Sequence, residues 1–369
     1  MAKVGEKSHD TGRSGGAISG DRATDPAAGQ YVPRSRDWEL PGAFAVAEGV
    51  HRIPLPLPND GLRAVNVYAI ADGSGLTLID SGWALTEARQ RLEAALASIG
   101  HELGDVRRFL VTHVHRDHYT LALTVRRMFG SQVLLGAGEQ DPLEYIIDGH
   151  GRPWDNYGQL LRRCGAAELA ERIARQTHGR DDDGEWEKPD EWLAADQEID
   201  VHGRTLRVVP TPGHTQGHVV FADTGNGLLF AGDHVLPHIT PSIGFEACRP
   251  ELPLGDYLGS LRLVRSMPDL RLLPAHGPVT DSVHARVDEL IEHHDRRLDA
   301  CAEVIRQGAA TAYEAARALT WTRRERHFDK LDMFNQMMAV METAAHLDVL
   351  VRQGRLRASV TDGVVYYAT

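Results

Sequence analysis

The stretch Thr112-His113-Val114-His115-Arg116-Asp117-His118 constrains this chain more than any other part of its sequence. Its three histidines and one aspartate can face one cavity only if the backbone turns, because neighbouring side chains on a strand point to opposite faces. The residues before it, 107–111, are β-prone, and the residues after it, 119–129, have helical spacing and stop at Gly130. The motif is therefore predicted to lie on a loop between a strand and a helix.

The residue types in this motif indicate a metal site. Imidazole nitrogens and carboxylate oxygens are ligands that divalent cations accept. A catalytic metal that keeps an open coordination position commonly uses three protein ligands, so His113, His115, Asp117 and His118 together exceed the need of one ion. The motif predicts two metal ions. An exposed polar loop is the simpler explanation for any one of these residues taken alone.

Three later segments repeat one pattern, in which a short apolar run leads to a turn that carries a candidate ligand. His214 follows Thr211-Pro212-Gly213, Asp233 ends the run 228–232, and His276 follows the run 270–275. Each is weak evidence by itself, but together they place three further ligand candidates at strand ends.

Three neighbouring residues have roles that the sequence leaves open or places outside the ligand set. His218 begins the next apolar run, so it is predicted to be packed or to support a ligand. Asp80 ends an earlier strand, where a helix-capping role and a supporting role beside a metal are equally compatible with the pattern. Tyr119 is a candidate donor to a developing negative charge, although packing at the start of the helix is the favoured role.

Composition disfavours several classes of function. Lys and Arg number 40 against 52 Asp and Glu, and the formal net charge of −12 disfavours nucleic acid and anionic membranes as partners. The three cysteines form no C-x-x-C pair, which suits a reducing compartment. No apolar run reaches membrane-spanning length, and the N-terminus lacks the apolar core of a signal peptide. We therefore expect a cytoplasmic protein with a small-molecule substrate, and the sequence leaves open a homo-oligomer.

The order of the motif residues resembles that of the metallo-β-lactamase fold superfamily over about residues 46–279. The resemblance rests on Asp80, His113-x-His115-x-Asp117-His118, His214, Asp233 and His276. It implies an α+β fold, a four-layer αββα sandwich with a dinuclear site at one edge of its two sheets. It also implies the ligands: His113, His115 and His214 for one metal, Asp117, His118 and His276 for the second, and Asp233 bridging both.

The same resemblance bears on the metal and the subgroup. Zinc is the first choice for both ions, with iron or manganese as alternatives. The acidic residue at position 233 is similar to that of the glyoxalase II-like hydrolases, whereas the antibiotic-degrading enzymes have a cysteine there.

The sequence divides into three parts, and the second contains an insertion. Residues 1–36 have hardly any large apolar side chains and are predicted to be a disordered tail. Residues 37–280 are the predicted catalytic domain, and within them 139–198 form a helical insertion. The aromatic residues of this insertion either cover the site or pack short helices, and the sequence favours the two roles equally. These residues are Tyr145, Trp154, Tyr157, Trp186 and Trp192.

Residues 281–369 form the predicted C-terminal domain. Three helices followed by a hairpin resemble a winged helix and the C-terminal region of the β-lactamase-like protein 2 group, whose members include endoribonucleases. The third helix, however, carries Met333, Met337, Met341 and Leu347 at helical spacing, with few positive charges. This face predicts packing against another domain or subunit, and not DNA binding.

These observations predict a metal-dependent hydrolase. Two metal ions would activate a water molecule, and Asp117 would hydrogen-bond this nucleophile as well as bind metal. The leading substrate class is a small-molecule ester or thioester, such as an acyl-CoA, an acylglutathione or a lactone. The alternatives are an endoribonuclease or phosphodiesterase of the same fold and, from another class, an iron-containing redox or regulatory protein.

Overall fold

The structure is a computed structural model that describes residues 37–58, 61–148, 153–177, 186–246, 248–321 and 325–369. The predicted tail, residues 1–36, lies outside the described residues. Within the described part of the chain, no helix has both the length and the apolar character that crossing a bilayer requires.

The first sheet has seven strands that follow one another in sequence order. They are β1 (Phe44–Ala47), β2 (Val50–Pro56), β3 (Ala64–Asp72), β4 (Gly75–Ile79), β5 (Val106–Val111), β6 (Gln132–Gly136) and β7 (Glu191–Leu193). Strands β1 to β4 pair antiparallel, as the sequence predicts for β2 to β4, whereas β4 to β7 pair parallel. Parallel neighbours need long crossovers, and helices α1 (Thr86–Ser98) and α2 (Arg116–Phe129) provide the first two.

The second sheet has five strands in the order β12-β11-β10-β9-β8. They are β8 (Glu198–Val201), β9 (Arg204–Pro210), β10 (Val219–Asp223), β11 (Leu228–Gly232) and β12 (Arg271–Pro274). Strands β8 to β11 form an antiparallel meander, and β12 pairs parallel with β11 after a crossover through α6 (Pro253–Ser266).

The two sheets pack face to face, and helices cover both outer faces. Phe221 and Phe230 from the second sheet lie in the same buried cluster as Ile79 and Leu110 from the first. Helices α1 and α2 cover the outer face of the first sheet, and α6 and α7 (Val283–Arg306) cover that of the second. The αββα sandwich predicted from the resemblance is confirmed.

The insertion between β6 and β8 is mainly helical, as predicted. It contains α3 (Gln140–Ile147), α4 (Pro153–Arg163) and α5 (Ala167–Thr177). Tyr157 on α4 is buried and stacks on Phe245 at a ring-centroid distance of 4.6 Å. The side chain of Trp154 lies outside the described residues.

The C-terminal part contains three helices and a closing hairpin. Helices α8 (Ala312–Ala318) and α9 (Met333–Arg352) follow α7, the pair β13 (Thr320–Trp321) and β14 (Arg326–His327) lies between them, and β15 (Arg357–Thr361) pairs with β16 (Val364–Ala368). Helix α9 begins at Met333, where the Asp332 carboxylate caps it by accepting from the Asn335 N–H. The winged-helix resemblance stays a prediction.

One hydrophobic cluster joins the C-terminal helices to the sandwich. Met337, Met341 and Leu347 of α9 are buried in the same cluster as Val220 of β10 and Tyr257 of α6. The apolar face of α9 is therefore buried within the same chain, in one cluster with residues of α7, α8 and the sandwich.

Candidate metal centre

The histidine motif lies on the turn between β5 and α2, where the sequence places it. His115 has an extended backbone (φ −72°, ψ 152°), and its carbonyl oxygen accepts the backbone N–H groups of His118 and Tyr119, which closes the first turn of α2. This change from extended to helical backbone lets side chains at nearby positions point into one space. The Val219 N–H donates to the Thr112 carbonyl oxygen and ties this turn to the second sheet.

Three imidazoles form the first half of the site. His115 Nδ1 lies 3.0 Å from His113 Nε2 and 3.0 Å from His214 Nε2. These three nitrogens could hold one metal ion, as the resemblance implies. His214 comes from the turn between β9 and β10, so the two sheets together assemble this group.

The second half combines imidazoles with carboxylates. Asp117 Oδ2 lies 3.5 Å from both His118 Nε2 and His276 Nε2. Asp233, which follows β11, places Oδ1 3.3 Å from His276 Nε2 and 3.8 Å from His118 Nε2, and Oδ2 3.4 Å from His214 Nε2. Its two oxygens thus face the two halves of the site. All seven predicted ligand candidates converge here.

The ring orientation of four histidines is set by a partner at Nδ1. The partners are Thr112 Oγ1 for His113 (3.0 Å), Asp80 Oδ2 for His118 (2.9 Å), the Ser242 carbonyl oxygen for His214 (2.8 Å) and the Ala64 carbonyl oxygen for His276 (2.8 Å). A partner at Nδ1 leaves Nε2 to face the cavity, which is the arrangement that metal-binding histidines commonly show.

Asp80 has the supporting role that the sequence left open. Besides contacting His118, its Oδ1 accepts the backbone N–H of Thr112 at 2.8 Å, so one carboxylate orients a ligand candidate and the turn that carries it. Its φ is +58°, a backbone conformation that aspartate tolerates better than most residues. The strained backbone at a functional position is consistent with a constrained site.

His218 and Tyr119 are packed, as the sequence favoured. His218 Nδ1 lies 2.8 Å from Thr211 Oγ1, and its Nε2 accepts the backbone N–H of Asp233 at 3.1 Å. His218 therefore supports the position of Asp233. The Tyr119 hydroxyl donates to the Glu187 carbonyl oxygen, and its ring stacks on Trp186, so it is no donor to the cavity in this structure.

Burial and neighbouring charges shift the pKa values of the ligand candidates in different directions. Burial and the neighbouring imidazoles lower the pKa of His113 and His115, that of His115 to about 3, which favours their neutral, metal-binding form. Burial alone would lower the pKa of His118, but Asp117 and Asp80 outweigh it and raise this pKa well above its ordinary value. Burial would raise the pKa of Asp117, but His118 and His276 outweigh it and keep this carboxyl group ionised.

Unpartnered atoms test whether the residues fit a pair of cations. Three buried atoms make no well-formed hydrogen bond among the described residues, and the two nitrogens lie only 3.8 and 3.3 Å from the oxygen: His118 Nε2, His276 Nε2 and Asp233 Oδ1. Leaving buried polar atoms unpaired costs about 1–3 kcal/mol each, so a cation that these atoms coordinate would remove that cost. The nitrogen and oxygen donor set suits zinc and its divalent neighbours. The residues therefore fit a divalent metal site.

Sequence reasoning missed two buried acids beside the histidine turns. Glu139 accepts the hydroxyl of Thr215, and Glu246 Oε1 accepts the backbone N–H of Gln216 at 2.9 Å. Neither residue lies in a recognisable motif, and only the packing of distant segments brings them to the site. Glu246 also lines a cleft of about 380 Å³ together with Asn156, Tyr157, Gln159, Leu160, Arg163 and Arg249.

Comparisons with known proteins agree with the fold. A family model described as Metallo-beta-lactamase superfamily matches residues 60–276. The Probable metallo-hydrolase YqjP of Bacillus subtilis is 24% identical over 330 residues, which are 86% of this chain and 96% of that protein. An atrochrysone carboxyl ACP thioesterase of Aspergillus fumigatus is 26% identical over 250 residues, 68% of this chain and 46% of that protein.

A solved structure extends the similarity to nearly the whole chain. The crystal structure of a metallo-beta-lactamase family protein from Thermus thermophilus aligns with a TM-score of 0.69 and 27% sequence identity. The alignment covers 88% of this chain and 99% of that one, so the similarity includes most of the C-terminal part as well as the sandwich.

Proposed function

The chain belongs to the metallo-beta-lactamase superfamily and is a metallo-hydrolase of that fold, and from this premise we propose that it cleaves small-molecule esters or thioesters at a dinuclear metal centre. The observation that carries the proposal is the position of Asp233, whose two oxygens face the two groups of ligand candidates. An arrangement of this kind suits a bridging ligand between two ions.

Each half of the site would hold one divalent metal ion. His113, His115 and His214 would hold the first, Asp117, His118 and His276 would hold the second, and Asp233 would contact both. When bound, such ions lower the pKa of a water molecule, so that hydroxide is available near neutral pH to attack an acyl carbon. Zinc is the first choice on the donor set, with iron or manganese as alternatives.

Asp117 is the proposed catalytic residue. Its side chain is 16% exposed, whereas that of Asp233 is 7% exposed, so Asp117 is the more accessible of the two carboxylates. Because nearby His118 and His276 keep its pKa below the ordinary value, Asp117 is an acceptor at neutral pH and not an acid. It would accept a hydrogen bond from the attacking water and so orient it.

Two observations support an acyl substrate over a phosphodiester. The Aspergillus relative is named as a thioesterase, although this chain spans less than half of that protein. The formal net charge of −12 also opposes the binding of a polyanion such as RNA. A thioester or ester of modest size is therefore the favoured class.

The test is a substrate panel on metal-loaded protein of known metal content. We expect two metal ions per chain by elemental analysis, and loss of activity with a chelator that added metal restores. The panel contains a neutral thioester, an acyl-CoA, an acylglutathione, a lactone and an RNA phosphodiester, with initial rates for each. A stoichiometry that stays at one ion after metal supplementation would contradict the dinuclear centre. Faster cleavage of the phosphodiester would replace the acyl substrate with the nuclease alternative.

A further inference from the structure

Glu139 is a fully buried acid that contacts both segments of the three-histidine group. It ends the short helical turn Ala137–Glu139 after β6, and its side chain accepts the hydroxyl of Thr215. The backbone N–H of Val114 lies near enough to this carboxyl group to lower its pKa, while Glu139 Oε2 has no hydrogen-bond partner among the described residues. Val114 lies between His113 and His115, and Thr215 follows His214, so one carboxyl group connects the two chain segments that supply these imidazoles.

Close backbone packing holds Glu139 in this place. A Cβ atom added to Gly217 would lie 2.1 Å from the backbone nitrogen of Glu139, and one added to Gly138 would lie 2.7 Å from the Gly217 Cα. The turn 137–139 therefore touches the end of the His214 turn directly. With both backbones in contact, the Glu139 side chain has little freedom to leave its partners.

A second acid supports the same turn from another side. Glu246 Oε1 accepts the Gln216 N–H, and the loop that carries Glu246 also supplies the Ser242 carbonyl oxygen that orients His214.

Burial raises the pKa of Glu139 to about 7, so its carboxyl group holds a proton for much of the time near neutral pH. A neutral amide is consequently a close replacement for it.

We propose that Glu139 is a positioning residue of the metal centre, which sets the spacing between the His113–His115 segment and the His214 turn. The inference rests on the proposed dinuclear site and adds a residue that touches neither the ligand nitrogens nor a substrate. Without this carboxyl group, the Thr215 hydroxyl loses its buried acceptor and the Val114 backbone loses a neighbouring polar group, so His214 is free to move relative to His115. Partners that orient metal ligands in this way typically change metal affinity 10- to 100-fold when they are removed.

The test measures metal binding and needs no substrate. Stepwise zinc titration of metal-free protein against a chromophoric chelator should show that Glu139→Ala weakens one of the two binding steps by about tenfold or more and leaves the other within about threefold. Glu139→Gln should restore the weakened step to within about threefold of the wild type, because its amide oxygen can accept from the same groups.

Asp223 offers a matched control for the loss of a buried acid. Its carboxylate is also buried, ends β10 at the opposite end from His218, and pairs with Arg204 at 2.7 Å. Asp223→Ala should lower the thermal midpoint and leave both zinc-binding steps unchanged. A general loss of folding would instead weaken zinc binding similarly in both alanine variants.

Thr215→Val provides a second, milder probe of the same contact. If Glu139 acts through Thr215, the double variant that combines Glu139→Ala with Thr215→Val should bind zinc only slightly more weakly than Glu139→Ala alone. Wild-type zinc affinity in Glu139→Ala, or equal weakening in Asp223→Ala, would overturn the proposal. Metal-loaded wild-type protein that hydrolyses no member of the substrate panel would contradict the proposed function only, since the zinc titrations still decide the role of Glu139.

Discussion

Asp233 and His218 show how neighbouring polar residues take different roles at the same centre. Asp233 lies between both groups of imidazoles, whereas His218 faces its backbone N–H and the Thr211 hydroxyl. Both residues are buried, and both would be plausible ligands from residue type alone. Their contacts in the structure distinguish them.

We expect Asp233→Ala to reduce the metal content below two ions per chain and the rate by at least about a hundredfold, since it removes the candidate ligand common to both halves. His218→Ala should retain both ions, with a loss of metal affinity of about tenfold or less, because it removes only a support of Asp233. Elemental analysis and initial rates on the two variants test this. Equal metal loss in both would place His218 among the ligands.

At the scale of elements, the helical insertion and the loop after Ser242 form the cleft described above. Arg163 at the end of α4 and Arg249 line this cleft, and Arg249 pairs with Asp348 of α9 at 2.9 Å. Burial raises the pKa of Glu246 to about 8, so this acid is largely neutral at pH 7 and does not offset the guanidinium charge of Arg163, whereas Asp348 offsets that of Arg249. The cleft is therefore suited to an anionic group on a substrate.

We predict that Arg163→Glu lowers kcat/KM for carboxylate- or phosphate-bearing thioesters by about two- to fivefold relative to a neutral thioester, as expected for an exposed charge. The metal content should stay constant, because Arg163 contacts none of the ligand candidates. Arg162→Glu is the control, since Arg162 is also exposed on the same helix but does not line the cleft. An identical substrate ranking in wild type and Arg163→Glu would indicate that the insertion has only a structural role.

Helices α7 and α9 meet through a buried pair of histidines. His294 Nδ1 lies 3.1 Å from His346 Nε2, and the two rings stack at a centroid distance of 5.2 Å. Burial lowers the pKa of His346 to about 3, and burial together with His346 holds the pKa of His294 well below its ordinary value. Nearby Arg297 and His293 act in the same direction on both rings.

The lowered pKa values of this pair make the free energy of unfolding depend on pH. Unfolded histidines have a pKa of about 6.5, so between about pH 6.5 and 3 the unfolded state binds more protons than the folded state. The stability that the pair contributes is present above about pH 6.5 and is lost as the pH falls. His346→Leu should reduce the slope of unfolding free energy against pH, between about pH 6 and 4, by up to about 1.4 kcal/mol per pH unit.

Denaturant unfolding across this pH range measures that slope. His202→Asn is the control, because it removes one exposed histidine and leaves the buried pair intact. If His346→Leu and wild type gave parallel curves, the buried pair would not contribute to acid sensitivity.

At the scale of the whole molecule, the C-terminal helices and the sandwich share one core. Residues of β9, β10 and α6 lie in the same buried cluster as residues of α7, α8 and α9, and Tyr257 of α6 contacts His294 of α7 ring to ring. The two predicted domains are therefore joined by an apolar interface and not by a linker alone. Removal of one would expose a large apolar surface of the other.

A chain that ends at Val279 should consequently be aggregated or inactive. Exposed apolar patches of this kind promote association, and each large side chain that loses its burial forfeits about 1.5–3 kcal/mol. Size-exclusion chromatography and the substrate panel test this, with a variant lacking residues 1–36 as the control that should remain soluble and active. A monomeric, active truncated protein would show that the sandwich folds and functions independently.

Much of the candidate site could be predicted from the sequence because its signals are local. The turn 112–118 lies between a strand and a helix whose patterns depend on near neighbours, and His214, Asp233 and His276 each follow a short apolar run. The resemblance of these motifs to one superfamily then implied their convergence and the αββα sandwich. The predictions for His218 and Tyr119 were also correct, since both belong to apolar or helical patterns that favour packing.

Other features depend on contacts between residues far apart in the chain, which no local pattern encodes. His115 meets His214 from 99 positions away, and the Ala64 carbonyl oxygen that orients His276 lies 212 positions from it. Three other features belong to the same class: the parallel pairing of β4 to β7, the contact of Glu139 with the His214 turn, and the burial of α9 in one cluster with β10 and α6. The sequence by itself determined which residues can bind metal and which turns carry them, because those are properties of short segments. Only the tertiary structure decided which atoms face the cavity and which buried groups hold them there, because these depend on how the two sheets and their helices pack.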